Sequence, residues 1–164
     1  MIRETKEISS SESFMPLDSQ ISKGAETESF GNERPLILIT GKQEETRFML
    51  RSLLEMWNFD VAEARTAEDS VELAKSRTPD LVLLDTSLHF EQTLDTMAAM
   101  KSSPSISDVP VIMISGFSRP DYRDAALACG AADFLVKPVD FDSLEQYLTL
   151  LTRKSIRRDG RGML

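Results

Sequence analysis

Three short runs of uninterrupted apolar residues constrain this chain more than any other feature: Leu36-Ile37-Leu38-Ile39, Leu81-Val82-Leu83-Leu84 and Val111-Ile112-Met113-Ile114. A strand with one face in water alternates apolar and polar residues. A continuous run instead implies burial on both faces, as in a parallel sheet covered by helices. Phe59-Asp60-Val61-Ala62 and Phe134-Leu135-Val136 are weaker candidates for two further strands. Between these segments the apolar residues change period. Leu50, Leu53, Leu54 and Trp57 fall at helical spacing, as do Ala67, Val71 and Ala74; Leu94, Met97 and Ala98; Tyr122, Ala125, Ala126 and Cys129; and Leu144, Tyr147, Leu148 and Leu151. Each set forms one apolar stripe that a sheet can cover. Thr66 with Asp69 three residues later resembles a helix-capping arrangement, and Gly130 sits where a helix must stop. Strand followed by helix, five times over, predicts an α/β fold with a five-stranded parallel sheet, doubly wound by right-handed crossovers.

The two ends read differently from this centre. Residues 1–34 hold seven serines, and four Lys/Arg against seven Asp/Glu, with no sustained apolar period. Such composition predicts a disordered acidic leader, with a docking or phosphorylation segment as the sharper alternative. Residues 153–164 carry five Lys/Arg (Arg153, Lys154, Arg157, Arg158 and Arg161) against Asp159 and read as a basic flexible tail. The folded domain is therefore expected over residues 35–152. No apolar run approaches the ~20 residues of a membrane span. The first residues lack the apolar core of a signal peptide. One cysteine excludes an internal disulfide, and one cysteine with one histidine excludes an ordinary structural zinc site. A cytoplasmic protein is expected, without membrane association. The net charge of −8 argues against nucleic-acid binding by the whole surface.

In parallel α/β sheets, ligands and chemistry collect at the carboxyl ends of the strands. Those ends are Thr40-Gly41-Lys42, Asp85-Thr86-Ser87, Ser115-Gly116 and Lys137-Pro138. A carboxylate, a hydroxyl and an ammonium would thus meet at one edge. An aspartate there can act as a nucleophile towards a phosphoryl group. A lysine beside it can pair with carboxylate or phosphoryl oxygens. Taken singly, Asp85 reads as a turn former and Ser115 and Lys137 as exposed polar residues. Jointly, at the ends of three strands, they point to a site.

With Asp80-Leu-Val-Leu-Leu-Asp85, Val111-Ile-Met-Ile-Ser115 and Ala126-Leu-Ala-Cys-Gly-Ala-Ala-Asp-Phe-Leu-Val-Lys-Pro138 in place, residues 35–152 resemble the response-regulator receiver domain, the CheY-like, flavodoxin-like fold. The resemblance implies a two-component phosphorelay protein that accepts a phosphoryl group on Asp85. It makes Ser115 the switch hydroxyl and Lys137 the lysine that pairs with the aspartyl phosphate. It makes Phe134 the aromatic switch residue, and it implies a cis Lys137–Pro138 bond. Its partners would be a histidine kinase or phosphotransfer protein and a downstream protein. With only a short basic stretch after Leu151, output is expected through protein contacts made in trans. Receivers often dimerise through the last helix pair, and nothing in this sequence forces that.

The chain also departs from the family. Receivers normally carry two acidic residues after the first strand that hold Mg²⁺; aligned through Arg47 and Leu53-Leu54, those positions are Gly41 and Lys42. Glycine offers no ligand, and lysine brings the wrong sign. Mg²⁺ is usually held by only one or two protein carboxylates, so Asp85 is left as almost the only side-chain ligand. Glu44 and Glu45 read more simply as first-turn helix acids. Lys42 could replace the metal electrostatically: an ammonium ~4 Å from Asp85 is worth ~1–4 kcal/mol. It would not bridge donor and acceptor as a metal does. Slow or absent phosphorylation is expected. Leu88-His89-Phe90-Glu91 replaces the family's usual Met-Pro and glycine, which suggests a remodelled pocket. His89 reads as a loop residue ahead of any proton-transfer role, Cys129 as core packing, and Trp57 as half buried at the end of the first helix.

Two readings therefore stand. One is a phosphorylated receiver; the other is a phosphorylation-independent pseudo-receiver acting as an interaction module. An enzyme on a flavodoxin-like sheet is disfavoured, because Thr40-Gly41-Lys42-Gln43 lacks the first glycine and the spacing of a phosphate-binding loop.

Overall fold

A computed structural model describes residues 34–86 and 90–158, with the backbone alone for 154–158. The elements run β1 (Leu36–Thr40), α1 (Glu44–Met56), β2 (Asp60–Ala64), α2 (Ala67–Ser76), β3 (Leu81–Asp85), α3 (Phe90–Lys101), β4 (Val111–Ser115), α4 (Pro120–Ala128), β5 (Asp133–Val136) and α5 (Phe141–Arg158). The five strands form one parallel sheet in the order β2-β1-β3-β4-β5. β3 is central, and the chain winds outward from β1 first one way and then the other, as the alternating pattern predicts.

The three continuous runs are buried along their whole length. Alternate residues serve opposite faces. Leu38, Val82, Leu84, Val111 and Met113 pack under α2, α3 and α4 with Met97, Met100 and Ala126. Ile37, Ile39, Leu81, Leu83, Ile112 and Ile114 pack under α1 and α5 with Leu50, Leu54, Leu144 and Leu148. Each such side chain, fully removed from water, contributes roughly 1.5–3 kcal/mol before entropy is counted. Asp80 ties β3 to β1 by accepting the Leu36 N–H at 2.8 Å.

Helix ends follow local chemistry. The Thr66 hydroxyl accepts the Asp69 N–H at 3.1 Å and caps α2. Pro120 opens α4, where its missing N–H costs nothing. Gly130 ends the turn after α4 at φ +105°, a conformation that a side chain would strain. The Lys137–Pro138 bond is cis, and Trp57 is half buried at the end of α1.

Several expectations need correction. The second strand begins at Asp60, not Phe59; Phe59 is buried in the α1/α5 layer instead. On α3 the buried stripe is Phe90, Thr93, Met97 and Met100, and Ala98 faces water. Cys129 is exposed rather than core, because α4 ends at Ala128 and the helical period no longer applies to it. α5 runs on to Arg158, so helix replaces the first half of the stretch expected to be a flexible tail. The leader over residues 1–33, the loop Ser87-Leu88-His89 and residues 159–164 lie outside the described residues. Among the described residues, no helix is long and apolar enough to cross a membrane.

Candidate functional site

The carboxyl edge of the sheet gathers the expected residues in register. Asp85 closes the central strand, and its side chain is 1% exposed. Lys137 follows β5 and reaches past the end of β4, so that Nζ lies 2.8 Å from Asp85 Oδ1. Apart from that ammonium, neither carboxylate oxygen meets a donor among the described residues. Burial pushes the Asp85 carboxyl above its ordinary range, against the lowering pull of Lys137. Thr86 beside it donates its N–H to Ile114 O at 2.8 Å, while its buried hydroxyl has no partner among the described residues.

Ser115 closes β4 fully buried, but its hydroxyl is held locally. Oγ accepts the Phe117 N–H at 3.0 Å and donates to the Phe117 carbonyl at 3.4 Å. To donate elsewhere, the hydroxyl must first leave the Phe117 carbonyl. Phe134 is buried on β5. Its ring meets Phe90 edge-on at 6.2 Å, and Phe90 stacks on Tyr122 at 4.0 Å. Tyr122 in turn meets Phe117 edge-on at 6.4 Å. A chain of four rings thus links the turn that holds Ser115 to the aromatic residue on β5. Arg123 donates to the Phe134 carbonyl at 2.9 Å and pairs with Asp133 at 3.2 Å, which fixes α4 against β5.

The β1 side is built differently. Gly41 donates its N–H to Ala64 O at 3.0 Å, and its carbonyl accepts from the Arg47 guanidinium at 2.8 Å. Arg47 is buried and is itself held by Glu63 at 3.1 Å, which Arg51 also contacts. This clamp holds the loop close beside Asp85. A Cβ added at Gly41 would lie 3.0 Å from Asp85 Cβ and 3.4 Å from Oδ2. Lys42 is exposed and, among the described residues, has no ion pair. Lys137, not Lys42, is the cation on Asp85. Asp85, Lys42, Thr40, Gly41, Arg65 and Thr66 line a cavity of about 100 Å³. Glu44 and Glu45 are exposed acids in the first turn of α1.

The donor set does not suit Mg²⁺. Beside two cationic side chains the cavity offers a single carboxylate, already paired with Lys137, and otherwise neutral groups such as its threonines and Gln92, where Mg²⁺ is usually anchored through one or two carboxylates. Among the described residues, no three His, Cys, Asp or Glu side chains are placed to hold a metal ion.

Four contributors escaped the sequence reading. Arg47 carries no signal of its own in the sequence, yet it is the buried clamp on Gly41. Arg65 directly follows β2 on the same edge, but the strand was expected to stop at Ala62. Thr86 gave no signal beyond its position. Phe90 is expected in a loop but opens α3, where its spacing from Met97 puts it on the buried stripe.

Comparison with known proteins agrees with this architecture. The family model for the response regulator receiver domain matches residues 37–149. The chain is 33% identical over 101 residues to the transcriptional regulatory protein ZraR of Escherichia coli O157:H7, covering 61% of this chain and 22% of that protein. It is 33% identical over 107 residues to the regulatory protein LuxO of Vibrio vulnificus, covering 65% and 23%. The chain thus spans under a quarter of the length of these regulatory proteins. Among solved structures, the signal receiver domain of a Luxo repressor protein from Vibrio parahaemolyticus superposes with TM-score 0.66 at 21% identity, covering 77% of this chain and 96% of that one. The chemotaxis protein CheY4 of Vibrio cholerae gives 0.65 at 18% identity, covering 73% and 99%. At such identities these two matches speak for the fold alone.

Proposed function

This chain belongs to the response regulator receiver domain family, a signalling module of two-component systems, and from that premise we propose that Asp85 takes up the phosphoryl group. The observation that carries this reading is the state of the carboxylate. Asp85 ends the central strand beside a cavity, buried, with Lys137 as the partner of one oxygen and no donor on the other among the described residues.

In the reaction, an Asp85 oxygen forms the bond to phosphorus. The phosphorus bond to the donor breaks, and its electron pair leaves with the donor: an imidazole nitrogen of a kinase or phosphotransfer protein, or the acetate oxygen of acetyl phosphate. Lys137 holds the carboxylate before transfer and pairs with phosphoryl oxygens after it. Ser115 then leaves the Phe117 turn to donate to the new group. The ring chain through Tyr122 and Phe90 carries that change to Phe134. The readout is a protein contact at the α4–β5 face, where Phe117, Leu127 and Val136 are exposed.

A second reading has its own support. Gly41 and Lys42 stand where the family resemblance implies acids, so the chain also suits a phosphorylation-independent interaction module. Intact mass after incubation with acetyl phosphate, beside an Asp85→Asn control, separates the two. An adduct on the wild type alone supports the phosphoacceptor. No adduct on the wild type, with one appearing in Lys42→Asp, supports the interaction module. Lys42→Asp is the clean restoration, because a side chain at Gly41 would press on Asp85 itself.

A further inference from the structure

We infer that the cavity beside Asp85 takes a tetrahedral oxyanion without a divalent metal, its positive charge supplied by Lys42 and Arg65 of this chain. The inference rests on the reading of this cavity as the phosphoryl site and adds what replaces the metal there.

Lys42 follows β1 and Arg65 follows β2, so two neighbouring strand ends each deliver a cation to the wall of one cavity, with Asp85 as its buried carboxylate. Among the described residues, neither cation is held in an ion pair. Lys137 already neutralises Asp85 at 2.8 Å, so Lys42 and Arg65 are surplus positive charge at that wall. A cavity with one paired carboxylate and two further cations attracts anions rather than a metal ion. Thr40, Thr66 and Thr96 also border it, their hydroxyls engaged with Ser70, the Asp69 N–H and the Gln92 carbonyl, so the two cations supply the attraction. Thr66 and Ala67 bring the start of the α2 helix, whose dipole is already met by Glu68 and Asp69 in its first turn, which leaves Lys42 and Arg65 to set the charge of the wall.

Arg65 has a competitor. It also borders a neighbouring hollow of about 430 Å³ that contains Glu63, Asp69 and Glu72. Lys42 borders the Asp85 cavity and not that hollow, so its removal should cost more. A guanidinium and an ammonium can together cradle three phosphoryl oxygens, charge-assisted, without demanding the octahedral oxygen shell of Mg²⁺. The clamp of Arg47 on Gly41 keeps the β1–α1 loop in the position that this arrangement uses.

The test is titration of the full chain with inorganic phosphate in EDTA, followed by amide NMR shifts. The expected result is a saturable shift confined to residues 40–43 and 65–67. Lys42→Met should weaken binding about tenfold, equivalent to ~1.4 kcal/mol, and Arg65→Met a few-fold. Asp85→Asn should tighten binding, since it removes a like charge, and added Mg²⁺ should leave the affinity unchanged. Both cations are exposed, so the variants should fold; their unperturbed core amides check this. Phosphate binding that requires Mg²⁺, that ignores both substitutions or that is absent overturns the inference. Failure of the phosphoacceptor reading looks different: phosphate binds as described, yet acetyl phosphate leaves no adduct on Asp85.

Discussion

On the β3–β5 side of the sheet's carboxyl edge, Asp85, Ser115 and Lys137 stand where the family resemblance implies them, and Lys137 pairs with the carboxylate at 2.8 Å. On the β1–β2 side, a glycine backbone, Lys42 and Arg65 occupy the same cavity wall. The difference shows that the Asp85–Lys137 pair and the loop facing it are separately built parts of one edge. The first depends on strand ends and burial, which the core enforces. The second is clamped by Arg47 with its Gly41 carbonyl held and no carboxylate offered.

The comparison can be broken or sharpened by substitution. The largest effect is expected at Phe90, which is buried and stacked on Tyr122 on the β3–β5 side. Phe90→Ala should cost about 3–4 kcal/mol in chemical denaturation. A loss below about 1 kcal/mol would show that the ring chain is not packed as described. Arg47→Met comes next, at about 2 kcal/mol, because it leaves a buried carbonyl unpaired and frees one Glu63 oxygen. It should also speed amide exchange at Gly41; an unchanged rate would argue against the clamp. Gly41→Ala should cost about 1–2 kcal/mol through contact with Asp85 Cβ, and a neutral result would mean that the two halves of the edge are not pressed together.

The smallest effect is expected at Asp85 itself. Burial raises its carboxyl in the folded state, so the ionised form is penalised there and stability is lost as pH rises through the raised folded value. Asp85→Asn should therefore be at least as stable as the wild type at neutral pH. The difference should shrink as pH falls towards the unfolded carboxyl range. A clear loss of stability at pH 7 would mean that the Lys137 pair outweighs burial.

How much of this was legible depends on where each residue gets its signal. The central strands were plain because both faces are covered, so Leu36–Ile39, Leu81–Leu84 and Val111–Ile114 admit few other structures. β2 is an edge strand with half-buried residues, and its weak pattern put its start one residue early and its end two residues early. That early stop hid Arg65. Asp85, Ser115 and Lys137 could be read because strand ends in a parallel sheet converge. The Arg47–Glu63–Gly41 clamp could not, since it joins residues from three elements and a buried arginine looks in sequence like a solvated one. Cys129 was misplaced because apolar spacing continues past the last helical residue while the helix does not.

The most direct measurement is intact mass of the wild type with acetyl phosphate in EDTA and again in Mg²⁺, with Asp85→Asn alongside. The account predicts a single phosphoryl adduct on the wild type, slow to form, in both conditions and none on Asp85→Asn. An adduct that persists in Asp85→Asn, or no adduct in either condition, would contradict Asp85 as the acceptor.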